Sequence, residues 1–175
     1  DFCLSRGLGD VYKRQRSYEM ARRLAAAGHE VHMVTSWRSD DGRSPEWFVT
    51  DESGIKTHWL PVPYSNHMSY RERISAFFRF AFLAMSKAKE LGGDVIFATS
   101  TPLTIAIPAV FASRKKKIPM VFEVRDLWPE LPIAMGALRN PVLQWLAHRL
   151  ERWAYKNAEA VVALSPGMKL SLIHI

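Results

Sequence analysis

Hydrophobic and polar positions change period along the chain in a regular way. In 17–27, SYEMARRLAAA, the positions Met20, Ala21, Leu24 and Ala27 recur at helical spacing, and Ala, Arg and Leu favour helix. Gly28 follows as a C-cap, and EVHMVTSW at 30–37 then reads as a strand. The polar stretch 38–54, with Gly42, Pro45 and Gly54, predicts a loop or an exposed hairpin. IKTHWLPV at 55–62 predicts a further strand, ended by Pro61 and Pro63. The longest helical pattern covers 69–91, with Ile74, Phe77, Phe78, Ala81, Phe82 and Met85 as its core stripe. Phe80 and Leu83 fall off that stripe, among Arg73, Arg79 and Lys87.

DVIFATS at 94–100 is a compact apolar run, the kind buried on both faces of a parallel sheet. A helix is predicted over 101–117, with Thr101 as N-cap, Pro102 at its first position and a kink at Pro108. IPMVFEV at 118–124 predicts a strand, 140–157 a helix capped by Asn140 with Pro141 at its start, and AEAVVALS at 158–165 another strand. Pro166-Gly167 opens the next segment. This alternation predicts an α/β fold, a Rossmann-like parallel sheet with helices on both faces, and no internal repeat interrupts it.

The two ends do not fit this pattern. Residues 10–15 read DVYKRQ and residues 170–175 read LSLIHI. One codon choice for the first is GAT GTG TAT AAG AGA CAG. Its reverse complement, CTG TCT CTT ATA CAC ATC, encodes the second. Opposite strands of one DNA element thus account for both ends, and the element is similar to the transposase mosaic end of sequencing libraries. Ser5 to Gly9 is similar to the adapter upstream of it. Segments 1–15 and 170–175 are therefore expected to be adapter-derived and non-native, which leaves 16–169 as one domain cut at both ends. The Gly7-x-Gly9 spacing then carries no phosphate-loop meaning.

Composition narrows the class. With 48% hydrophobic and 23% charged residues, the 175-residue chain is globular, not disordered or fibrous. Cys3 is the only cysteine, which excludes a disulfide framework and a cysteine-based zinc site. The net charge of +7 suits phosphates, anionic lipid or nucleic acid without choosing among them. Lys115, Lys116 and Lys117 complement a helix C-terminus, and no RNA-binding motif accompanies them, so no nucleic-acid partner is expected. No apolar run approaches the roughly 18 residues of a membrane span.

In a sheet of this kind, ligands bind beyond the carboxyl ends of the strands. One such end holds Thr99, Ser100 and Thr101, where small hydroxyl residues meet a helix N-terminus; they either receive an anion or sugar hydroxyl or serve as a plain cap. A second reads Glu123-Val124-Arg125-Asp126-Leu127-Trp128-Pro129-Glu130. Here Arg125 can hold a phosphate or carboxylate, Asp126 or Glu130 can bind sugar hydroxyls or take a proton, and Trp128 can stack on a sugar face. The alternative is an Arg–Asp ion pair beside a core Trp. The histidines, His29, His32, His58, His67, His148 and His174, show no His-x3-His spacing or His/carboxylate cluster, so no metal site is expected. Neither a Gly-x-Ser-x-Gly elbow nor a P-loop is present.

The ordered segments EMARRLAAAGHEVHMVT, GIKTHWLP, DVIFATSTPLT, PMVFEVRDLWPE and AEAVVALSPGM resemble the N-terminal half of retaining glycosyltransferases of family four, over essentially all of 16–169. DLWPE is the specific part of the match; GHEV is shared by many α/β domains. The nearest likeness is to bacterial enzymes of capsule, O-antigen, colanic acid and exopolysaccharide synthesis, including a fucosaminyltransferase-like branch. The resemblance implies the GT-B architecture of two Rossmann-like domains. It implies an N-terminal domain that shapes the acceptor side, a C-terminal domain that holds the nucleotide-sugar, retention at the anomeric carbon and no obligatory metal or other cofactor. Many relatives carry His-Asp where this chain has Arg125-Asp126, so no catalytic histidine is carried over. The family's first strand and Gly-rich loop would lie before Arg16, and its Glu-x7-Glu motif after Lys169. The chain by itself is therefore expected to be inactive, and a non-enzymatic Rossmann-like binding module is the alternative.

The resemblance also gives the 69–91 helix a use, because relatives often act on polyprenol-linked acceptors. Exposed Phe80 and Leu83 among Arg73, Arg79 and Lys87 would suit an interfacial helix, each cation adding about 1 kcal/mol on an anionic surface. The alternative is packing under a neighbouring segment. The expected location is cytoplasmic, peripheral on the inner face of the membrane.

Overall fold

A computed structural model of the chain describes residues 2–7, 16–37, 42, 44–62, 68–100 and 102–173. In order, the elements are β1 (Phe2–Gly7), α1 (Arg16–Ala26), β2 (Val31–Trp37), β3 (Phe48–Glu52), β4 (Ile55–Pro61), α2 (Tyr70–Leu91) and β5 (Ile96–Thr99). A 3-10 turn (Leu103–Ile105) leads into α3 (Ala106–Lys116), followed by β6 (Met120–Val124), α4 (Glu130–Ala134), α5 (Pro141–Lys156), β7 (Ala160–Ala163) and α6 (Pro166–Ile173). The strands form one sheet in the order β3-β4-β2-β1-β5-β6-β7. Every pairing is parallel except β3 with β4, an antiparallel hairpin at the edge.

The hairpin resolves the loop-or-hairpin choice for 48–54. Its two-residue turn needs positive φ at both centres, met by Ser53 (58°) and Gly54 (81°), and Asp51 Oδ1 accepts from the Gly54 N–H at 3.1 Å. The slot that the family resemblance places before Arg16 is filled by Phe2–Gly7, from the segment set aside as adapter-derived. Its backbone runs parallel to β2 from Phe2↔His32 to Gly7↔Trp37 and pairs with the start of β5. Without a strand there, facing edges of β2 and β5 would present unpaired backbone groups. At the other end, α6 continues past Lys169 to Ile173.

Alternate strand residues feed two cores, as a sheet covered on both faces requires. On one face, Tyr18 and Ala21 of α1 pack with Val31, Met33, Ile55 and Trp59. On the other, Val34, Leu60, Ile96, Ala98 and Phe122 pack under α2, α3 and α5. A capping box at Ser69 and Glu72 starts α2, and Asn140 caps α5 by accepting from the N–H groups of Val142 and Leu143.

Two helix expectations need correction. The predicted helix over 101–117 starts only at Ala106, after the 3-10 turn. Pro108 then lies in the first turn of α3, where backbone N–H groups lack intrahelical partners, so it needs no kink. Thr101, the expected cap, lies outside the described residues. The core stripe of α2 is also turned from its predicted phase. Phe80, Ala81, Ala84 and Ala88 are buried, whereas Phe78 and Phe82, two stripe members, are exposed. The cause is small residues: Ala84 and Ala88 pack with the equally small Ala106, Ala109 and Ala112 of α3, allowing close helix packing. A reading weighted by side-chain bulk favours the phenylalanines instead.

Candidate functional site

The carboxyl ends of β5 and β6 meet around a buried carboxylate. Glu123, 2% exposed, interrupts the apolar run of β6 one residue before its end. Its Oε2 accepts from Thr99 Oγ1 at 2.8 Å and its Oε1 from Arg16 Nε at 2.7 Å. The Ser100 N–H donates to the Glu123 carbonyl at 2.8 Å, and the Arg125 N–H donates to Ser100 Oγ at 3.0 Å. Thr99 and Ser100, expected to bind substrate, are buried and use their hydroxyls inside the protein. They hold the strand ends together, and neither caps the helical turn that follows, whose N-cap, Pro102, has no side-chain cap bond. Sequence reasoning misses Glu123 as the hub, although a lone charge within PMVFEV is a signal for it.

Past this knot the chain leaves β6 as Arg125-Asp126-Leu127-Trp128, all half-buried. Trp128 packs on the larger core and forms one wall of a cavity of about 390 Å3. Pro102, Leu103 and Thr104, following β5, form the floor beside it. Phe77 and Phe78 of α2 and Leu143 and Leu146 of α5 complete the apolar sides. Arg73 also lines the cavity. Thr104 Oγ1 is buried with no hydrogen-bond partner among the described residues. The site is thus an apolar crevice beyond two strand ends, where ligands of open α/β sheets bind.

Glu130 joins a different group. At the start of α4, its Oε1 lies 3.7 Å from His148 Nδ1, which is 3.6 Å from Glu151 Oε2. Glu151 is fully buried; its Oε1 accepts from Tyr155 Oη at 3.1 Å, and its Oε2 has no hydrogen-bond partner among the described residues. Burial, and then the charge of Glu130, push the Glu151 carboxyl above its usual range, and burial with Glu151 nearby pushes the Tyr155 hydroxyl up. A His/carboxylate cluster therefore exists, contrary to the sequence expectation. The i,i+3 spacing of His148 and Glu151 is visible in the sequence, but Glu130 comes from another element.

The predicted membrane-contact residues do not form one surface. Phe80 is in the core, and Lys87 is largely covered, bonded to Glu90 at 2.8 Å and 5.7 Å from the Trp47 ring centre. Leu83 and Arg79 are exposed, and Arg73 is half-buried beside the crevice. The aromatic surface of α2 consists instead of Phe78 and Phe82, stacked 6.4 Å apart. Val142 and Trp145 are exposed on α5, with the Arg149 guanidinium 5.0 Å from the Trp145 ring centre. Among the described residues, no helix is long and apolar enough to cross a membrane.

A family model described as a glycosyl transferase 4-like domain matches residues 14–174. No curated protein sequence matches the chain. Among solved structures, the chain superposes on sucrose-phosphate synthase from Thermosynechococcus elongatus with a TM-score of 0.64 and 14% identity. The match covers 99% of this chain and 44% of that one, so this chain spans less than half the length of its structural relative. At that identity the likeness establishes fold alone: one Rossmann-like domain of the GT-B kind.

Proposed function

The chain belongs to the glycosyl transferase 4-like domain family, and from that premise we propose that it forms the acceptor-side domain of a retaining sugar transferase. The enzyme would move a hexosyl or amino-sugar unit from a nucleotide-sugar to a lipid-linked glycan in bacterial cell-surface polysaccharide synthesis. Capsule and lipopolysaccharide are the polymers in view, and the place of action is the cytoplasmic face of the membrane. The observation carrying the acceptor assignment is the apolar crevice lined by Phe77, Trp128, Leu143 and Leu146. Its volume of about 390 Å3 falls within the roughly 300–1,000 Å3 of small-molecule sites. Such walls suit an isoprenoid chain, while Arg73 at the same crevice supplies a cation for a phosphate head. Asp126, on the loop leading to Trp128, is assigned to the acceptor sugar hydroxyl, and Arg125 to the anionic group beside it. Membrane contact is assigned to Phe78 and Phe82 with Arg79 and Leu83, in place of Phe80 and Lys87.

The test is calorimetric titration of the chain with farnesyl phosphate, a short soluble prenyl phosphate. Wild type should bind, and Leu146→Asp, at a half-exposed wall position, should weaken binding at least tenfold without changing the circular dichroism spectrum. Absence of wild-type binding, or equal binding by the variant, would remove the lipid-linked acceptor from the proposal.

A further inference from the structure

The Glu130–His148–Glu151 cluster lies outside the crevice, and none of its three residues lines it. Its ligand-type atoms all lie within 4.8 Å of one another. His148 Nδ1 sits between the carboxylates, 3.7 Å from Glu130 Oε1 and 3.6 Å from Glu151 Oε2. A tetrahedral ion with bonds of about 2.0–2.2 Å needs donor atoms roughly 3.3–3.6 Å apart, so small side-chain movements would close the set. Glu151 supplies the independent observation. Its side chain is 1% exposed, and Oε2 points at the imidazole with no hydrogen-bond partner among the described residues. A buried carboxylate oxygen left without a hydrogen bond is destabilising. Tyr155 satisfies Oε1 alone.

We propose that Glu130, His148 and Glu151 form a binding site for one divalent transition-metal ion of the Zn2+ class. One imidazole nitrogen with two carboxylate oxygens suits Zn2+ better than Mg2+ or Ca2+, which take all-oxygen shells. Glu130 and His148 are partly exposed, with side chains 45% and 37% accessible, which gives the ion an entry path and leaves room for water as a fourth ligand. The site is structural. It would tie the start of α4, two residues after Trp128, to α5, and so fix one end of the loop that carries Arg125 and Asp126. An ion would also supply a close contact to Glu151 Oε2, which has no hydrogen bond among the described residues and lies 3.6 Å from His148 Nδ1.

The probe is ZnCl2 titrated into the 175-residue chain by calorimetry, with thermal melting in parallel. A second cluster must be controlled, because His32 Nδ1 lies 3.0 Å from His58 Nε2, with Glu30 adjacent. The site predicts one Zn2+ per chain retained in His32→Asn, a rise in Tm on adding Zn2+, and loss of both effects in His148→Ala. Glu130→Gln should weaken binding at least tenfold; this exposed position keeps the test independent of any folding defect at Glu151. Absence of saturable binding, binding unchanged in His148→Ala and Glu130→Gln, or binding abolished by His32→Asn would each overturn the assignment.

Discussion

Replacing His58 with Gln should remove an acid-sensitive component of stability that the fold builds into β4. His58 is only 7% exposed, and its ring stacks on His32 with centroids 5.3 Å apart. Burial first, and then the nearby charge of His32, lower its pKa from 6.5 to about 4. Between those values the unfolded chain takes up a proton that the native state refuses. Stability contributed by the neutral ring is therefore whole above pH 6.5 and falls as pH drops toward 4. At about 1.36 kcal/mol per pKa unit, the loss accumulated by pH 4 is about 3 kcal/mol. Glu151 works in the opposite sense: its raised pKa makes protonation easier in the native state, which adds stability as pH falls toward its unfolded value. Only the difference between wild type and variant isolates the histidine. Urea unfolding from pH 8 to pH 4 should give a wild-type advantage that is flat above 6.5 and shrinks by about 3 kcal/mol at pH 4. Truncation of ring packing adds an offset that does not vary with pH. Parallel stability curves for the two proteins across the whole range would refute the reasoning.

Phe80→Ala should destabilise the chain by about 3–5 kcal/mol, while Phe82→Ala should stay within about 0.5 kcal/mol yet weaken binding to anionic vesicles, as read by chemical unfolding and co-sedimentation. Reversal of those two stabilities would restore the bulk-weighted helix phase. Thr99→Val removes the bond to the buried Glu123 carboxylate, and urea unfolding should show a loss of about 1.5–3 kcal/mol. In the complete enzyme, Asp126→Asn should lower kcat/KM at least tenfold, about 1.4 kcal/mol, with an unchanged circular dichroism spectrum; wild-type kinetics would make Asp126 structural.

What the sequence disclosed depended on whether the signal was local. Strand runs such as DVIFATS and PMVFEV are apolar because both faces are covered, so they could be placed without tertiary information. The cap at Asn140 is equally local, being written in Asn140 and the adjacent Pro141. The phase of α2 was not, because alanines carry little hydrophobic weight and their value lies in the closeness of the facing helix. Thr99 and Ser100 read as open hydroxyls because their partners, Glu123 and the Arg125 amide, come from the neighbouring strand 24 and 25 residues away. Glu130 groups with Asp126 by adjacency in sequence, whereas its ion-pair partner His148 comes from α5.

These relocations give the charge cluster after β6 a division of labour. A run of charged residues at one strand end reads as a single reactive group, yet two carboxylates anchor the segment's flanks. Glu123 fixes the exit from β6 through Thr99 and Arg16. Glu130 ties the entry to α4 to His148, and through it to the buried Glu151. Each anchor restricts a backbone that would otherwise be a free loop, at a conformational cost of about 1–2 kcal/mol per residue fixed. Between them only Arg125 through Pro129 remains, with Trp128 set into the crevice wall. A binding segment held at both ends by buried or paired carboxylates keeps its side chains in one geometry, as recognition of a sugar hydroxyl requires. Its precision then depends on side chains outside the crevice. Loss of either anchor should therefore appear in acceptor affinity even though neither Glu123 nor Glu130 lines the cavity.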